Sequence, residues 1–225
     1  MSGSRTFLLA VAFAAAAVPR AQGLELDPGP RALAAVEAVA PLLEIAVVDL
    51  GDMAPDVLRA AWSQTAAVLE RLGSRARIRS AAPDDIQAPG DITVVLMPGR
   101  PGPQLRPTVL GVVRRAAGPR VLWLFPEAVA AALGNPTPAT AASTPNEQAT
   151  LATALGRVAA HELVHLLCPS RPHDREGLMA ERMSQSVLRG GPLTIDDALR
   201  RDFERGALHA AARNRVAGAR SSPTL

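Results

Sequence analysis

His161, Glu162 and His165 stand within one pentapeptide, His161-Glu162-Leu163-Val164-His165, and are the side chains of this sequence best spaced for chemistry. On a helix, residues four apart project from one face about a turn apart, so both imidazoles can offer a nitrogen to a single metal ion. Glu162 then lies beside them. Two neutral nitrogen ligands, an open coordination position for water and a carboxylate to take that water's proton are the working parts of a zinc hydrolase. Catalytic zinc generally takes three protein ligands, and His173, beyond the helix-stopping Pro169, is placed where the chain can fold back to supply the third. With only 4 histidines in 225 residues, chance would produce such a pentapeptide on the order of a few times in a thousand sequences of this composition.

The pair works only if it rides on a helix, and the flanking residues predict one. Thr144-Pro145-Asn146-Glu147 has a hydroxyl for the backbone three residues on, a proline suited to the first helical position, and a glutamate that can reach back to complete a capping box. Ala154, Val158, His161 and His165 then share a stripe flanked by Leu151, Leu155 and Leu166, so an apolar face runs straight into the histidines. Pro169 ends the run. The expected element is a buried helix of about six turns with its ligands near the C-terminal end.

His-Glu-x-x-His, a loop, a third His and then Gly177-Leu178-Met179 resembles the metzincin metallopeptidases. More narrowly it is similar to secreted bacterial proteins with an eight-residue step to the third histidine and Gly-Ile-Met or Gly-Leu-Met after it. The resemblance implies zinc on His161, His165 and His173, Glu162 as general base, Met179 in a turn beneath the metal, and an edge strand that binds extended peptide by strand addition. Cys168 and Arg171 stand where a typical metzincin has a glycine and its third histidine. The motif covers about thirty residues, and the order of strands and helices extends the likeness loosely over most of the remaining chain.

Other donors compete for the third position. Cys168 follows His165 by three residues, but Pro169 distorts the backbone there, so the thiol is expected to be buried and unligated. Glu181 and Glu204 are the acids available to an arrangement with a glutamate from a later helix. The chain has no tyrosine, the phenol many metzincins place near the oxyanion, which leaves Arg171, Arg175 or backbone amides for that role. A zinc-binding domain without turnover is therefore the alternative to a peptidase.

Residues 1–23 carry Arg5, an apolar run from Phe7 to Val18 and Ala21-Gln22-Gly23, a small-x-small cleavage site, and read as a secretory signal. The run is about a dozen residues, too short to span a bilayer comfortably, so no membrane span is expected after its removal. The expected product, residues 24–225, is one domain of about 200 residues, secreted or periplasmic. Its formal charge is two below the whole chain's +3, since the leader holds Arg5 and Arg20 and no acid. Nucleic acid is not an expected partner, because every basic residue is arginine, accompanied by abundant alanine and proline, which marks a composition bias rather than a binding patch. A peptide or protein substrate is. One cysteine excludes an internal disulfide.

The rest of the chain supplies the scaffold. A lead-in with a short helix is expected over residues 24–40. Strands are expected over residues 44–50, 75–80, 91–97 and 121–125, with an edge strand over 108–113 in a segment rich in proline and arginine, whose residues alone read sooner as an edge kept soluble than as a peptide-binding strand. Leu58, Ala61, Trp62, Thr65, Leu69 and Leu72 recur at helical spacing after Pro55, and a short helix is expected over 127–133. A polar loop, residues 134–145, precedes the long helix. Thr194 is the expected cap of a final helix with a packing stripe of Ile195, Leu199 and Phe203, and His209 is expected to be solvated. The fold class is α+β with α/β-like order: a mixed, twisted sheet packed against the helix of His161 and His165, followed by a helical C-terminal part, as in the zincin-like metallopeptidases.

Overall fold

Short runs of branched apolar residues assemble into a five-stranded sheet in the computed structural model, which describes residues 40–84, 92–99, 105–106, 108–114, 119–134 and 144–220. The leader over 1–23, the lead-in helix apart from residue 40, and the loop residues 135–143 lie outside the described residues. The strands are β1 (Leu42–Asp49), β2 (Arg75–Ser80), β3 (Ile92–Leu96), β4 (Gly111–Val113) and β5 (Arg120–Leu124), in the order β2-β1-β3-β5-β4. The first four neighbours run parallel and β4 runs antiparallel to β5, so the sheet is mixed.

Parallel strands need both faces covered, which is why β1, β3 and β5 read as nearly continuous apolar runs rather than alternations. Leu43, Ile45, Val47, Ile92, Val94, Leu96, Leu122 and Leu124 face the helices in the main core, whereas Val48, Val95 and Val121 form a smaller cluster with Met97 and Trp123. Register brings Ile45 between Ile78 and Ile92. β2 has no buried residue. Its arginines keep that edge polar, and Arg77 reaches Glu44 of β1 at 2.9 Å.

The helices are α1 (Pro55–Arg71), α2 (Pro126–Ala132), α3 (Pro145–Leu167), α4 (Gln185–Leu188) and α5 (Asp197–Arg220). α1 and α3 lie against each other over the sheet, tied where the Thr65 hydroxyl donates to the carbonyls of Ala61, 3.0 Å, and Gly156, 3.2 Å. The capping box forms as its residue types require: Thr144 Oγ1 accepts from Glu147 N at 3.3 Å, and Glu147 Oε2 accepts from Thr144 N at 2.8 Å. The Thr144 N–H bond, with the Thr144 hydroxyl donating to the same Oε2 at 2.9 Å, holds the Glu147 carboxyl below the usual range. α3 touches α1, α2, α4, α5, β4 and β5. Among the described residues no helix is long and apolar enough to cross a membrane.

Two expectations change. The final helix begins at Asp197, capped by Asp196, whose Oδ1 accepts from Leu199 N at 2.5 Å, and not by Thr194. Thr194 is committed elsewhere, its carbonyl accepting from Leu178 N at 3.1 Å. α4, with Ser184 accepting from Val187 N at 3.2 Å, is an additional helical turn. The edge strand is confined to Gly111–Val113, shorter than the expected 108–113.

Candidate metal centre

The helical step of four residues brings His161 and His165 to one face of α3, and both, with Glu162, are buried. His161 Nε2 and His165 Nε2 lie 3.1 Å apart. The exposed His173 folds back so that its Nε2 is 2.9 Å from that of His165, with its ring stacked 12° from the plane of His161. One nitrogen from each ring falls within 4.8 Å of the others.

The tautomer follows from the backbone. His161 Nδ1 donates to the carbonyl of Leu178 at 2.7 Å, which leaves Nε2 as a lone pair pointing at the other two rings. Burial pushes the His161 pKa down, the Leu178 bond pulls it partly back, and nearby His173 lowers it again, so the ring is held neutral near pH 7. Lone pairs converging at about 3 Å repel one another unless a cation or proton lies among them. Three nitrogens bonded to one zinc at about 2.0–2.1 Å would stand roughly 3.3 Å apart in tetrahedral geometry, so the donor set and its spacing fit such an ion.

The loop after α3 carries His173 into place. Arg171 N donates to the Cys168 carbonyl at 2.9 Å just past Pro169, and Asp174 N donates to the Met179 carbonyl at 2.8 Å. Gly177 adopts φ +82°, and a Cβ there would come within 2.7 Å of the Thr194 carbonyl oxygen, so this turn needs glycine on both counts. Leu178 and Met179 follow, fully buried in the main core. The residue before Met179 thus supplies the carbonyl that orients His161.

The three rings and Glu162 line a cavity of about 710 Å³. Gly111, Val112 and Val113 of β4 form one wall, Ala180, Glu181, Arg182 and Met183 another, and Val158 and Leu188 lie in its apolar lining. Phe125 N donates to Leu110 O and Arg114 N to Val121 O, an antiparallel pattern that turns the N–H and C=O of Gly111 and Val113 away from β5. Glu162 packs against β4 at Gly111, where an added Cβ would stand 2.7 Å from Glu162 Cγ and 3.0 Å from its Cδ. Only the absence of that atom lets the strand cross so near the carboxylate.

None of the competing donors converges with the three rings. Cys168 Sγ lies toward α5, 3.3 Å from where a Gly206 Cβ would be, and burial, with the Asp202 charge, pushes its thiol up to about 11. Glu204 reaches Gly73 at the end of α1, its Oε1 within 2.1 Å of an added Cβ there. Glu181 lines the cavity but is not among the converging donors. Arg171 corrects the expectation of an oxyanion partner: both terminal nitrogens of its guanidinium are bound to Asp174, Asp196 and Asp202, and it does not line the cavity. Arg175 is exposed and does not line the cavity, and His209 is exposed on α5. The Leu178 carbonyl and the approach at Gly111 had no signal in residue type, since the first is a backbone group and the second depends on strand order.

No family model matches the chain, and no curated protein matches it significantly. Among solved structures, its fold is similar to the crystal structure of archaemetzincin from Methanopyrus kandleri, with a TM-score of 0.48 and 14% identity over 73% of this chain and 94% of that one.

Proposed function

We propose that the protein is a zinc-dependent hydrolase of peptide bonds, with His161, His165 and His173 as zinc ligands and Glu162 as general base. The observation that carries this reading is the convergence of the three imidazoles on the wall of a cleft beside a carboxylate. Zinc held there would supply Lewis-acid polarisation of a carbonyl and a lowered pKa for water. Glu162, positioned by α3 and β4, takes a proton from water and passes it to the leaving amine. The outward-turned groups of Gly111 and Val113 can pair with an extended peptide and hold its scissile bond across the rings. The leader-like residues 1–23 support a secreted or periplasmic location, which N-terminal sequencing of the exported protein tests.

A zinc-binding module without turnover is the second reading, favoured by the absence of tyrosine from the chain and the commitment of Arg171 to three aspartates. Glu162→Gln separates the two. A peptidase variant keeps stoichiometric zinc yet loses hydrolysis of a broad peptide library by several orders of magnitude. Equal hydrolysis by both proteins refutes catalysis at this site, and zinc retention with no hydrolysis by either establishes the binding module.

A further inference from the structure

Helix geometry places His161 and His165, but nothing in a helix places His173. It is exposed, on a loop, beyond a proline stop. Its neighbours are held instead. Pro172 restricts the backbone on one side, and Asp174 N is bonded to Met179 O on the other. One residue further back, the Arg171 guanidinium donates to Asp174 Oδ2 at 3.1 Å, Asp196 Oδ2 at 3.4 Å and Asp202 Oδ2 at 3.3 Å. Asp196 caps α5 and Asp202 lies on its second turn, so Arg171 fastens the His173 loop to a helix that makes no contribution to the converging donors.

We propose that Arg171 is a positioning residue for the metal centre, holding His173 against the helix-borne pair through Asp174, Asp196 and Asp202. The inference rests on the zinc-ligand reading of the three histidines. Its side chain is only 12% exposed, while the three carboxylates are 34%, 53% and 39% exposed. Isolated surface pairs of that kind contribute little. Here one planar fork serves three carboxylates from two parts of the chain, a task a lysine ammonium on a flexible stem performs poorly. What the cluster supplies is loop order. A ligand already held in place loses less conformational freedom when an ion binds, and that difference appears as affinity.

Zinc affinity measured by chelator competition on the full chain tests the assignment, using Arg171→Ala, His173→Ala and the double variant. Arg171→Ala should weaken affinity by about 10–100-fold, the range for groups that orient ligands. In the His173→Ala background it should cause no further loss, because the ligand it positions is gone. An arginine that merely staples α5 to the fold would lower the melting temperature but leave the affinity of folded protein unchanged, or would weaken it equally in both backgrounds. Either result overturns the proposal. Arg171→Lys and Asp202→Asn perturb the cluster more gently and carry the same test if Arg171→Ala does not fold, with intermediate losses expected and wild-type affinity in both refuting the inference. Failure of the wild-type chain to bind zinc would overturn the underlying reading, whereas tight wild-type binding lost in His173→Ala but kept in Arg171→Ala would overturn this inference alone.

Discussion

Gly111→Ala puts one methyl group between the edge strand and the carboxylate proposed as general base. Its Cβ would stand 2.7 Å from Glu162 Cγ and 3.0 Å from both Glu162 Cδ and Leu124 Cδ2, against ordinary carbon contacts of about 3.5–4.0 Å. Leu124 is fully buried and has nowhere to go, so the clash is relieved by Glu162 shifting toward the cavity it lines. The carboxylate must move by roughly 1 Å to restore contact distance, and a displacement of that size in a reacting group is worth about 10²-fold in rate. Overpacking of this kind also costs about 1–3 kcal/mol in stability. His161, His165 and His173 are not met by the new methyl, so zinc affinity should be retained. The assay is kcat and KM on a cleavable peptide, with zinc affinity by chelator competition and thermal unfolding on the same samples. Wild-type kcat in the variant would refute the reasoning, and so would a loss of zinc in step with activity, since the damage would then lie in the fold and not in the base.

Burial places the folded-state pKa of His161 below its unfolded value of about 6.5, so the neutral ring's contribution to stability is present above that pH and is lost as pH falls through and below it. Metal-free protein should therefore melt at a lower temperature at pH 5 than at pH 7.5, and an equal drop in His161→Gln would count against this cause. With its thiol at about 11, Cys168 should react slowly with an alkylating reagent at pH 7.5 and faster as pH rises, and Cys168→Ser should keep zinc affinity. Rapid labelling of the folded protein at neutral pH would contradict that. Phe203, fully buried on α5, should lose about 3–5 kcal/mol on replacement by alanine, measured by urea unfolding. A loss under about 1 kcal/mol would mean the α5 contact is not part of the cooperative core.

The parts legible in the sequence were those governed by neighbours along the chain. The capping box at Thr144 and Glu147 and the step from His161 to His165 are local, and the structure shows the box formed and the two nitrogens 3.1 Å apart. Competition between local signals was harder to read. Thr194 and Asp196 both have cap chemistry, and the choice fell to Asp196 because the Thr194 backbone is bonded to Leu178. Contacts made by topology left no mark. The meeting of Gly111 with Glu162 requires β4 to lie at the sheet edge after β5, and the gathering of Asp196 and Asp202 around Arg171 requires α5 to cross the end of α3.

α3 is in contact with five other elements besides α1, which makes the backbone under His161 and His165 inseparable from the core. Amides of that segment should exchange with solvent only when the whole domain opens, whereas those of Gly111 and Val113, turned away from β5, and of residues 181–183 are shielded far less. The expected exchange pattern is that of a stiff floor with more pliant lips. In the peptidase proposed above, a visiting chain of awkward shape would be met by movement of β4 and the segment after Met179 while the histidine-bearing floor kept its spacing, so tolerance toward different side chains and fidelity of the reacting geometry would reside in separate pieces of the same cleft.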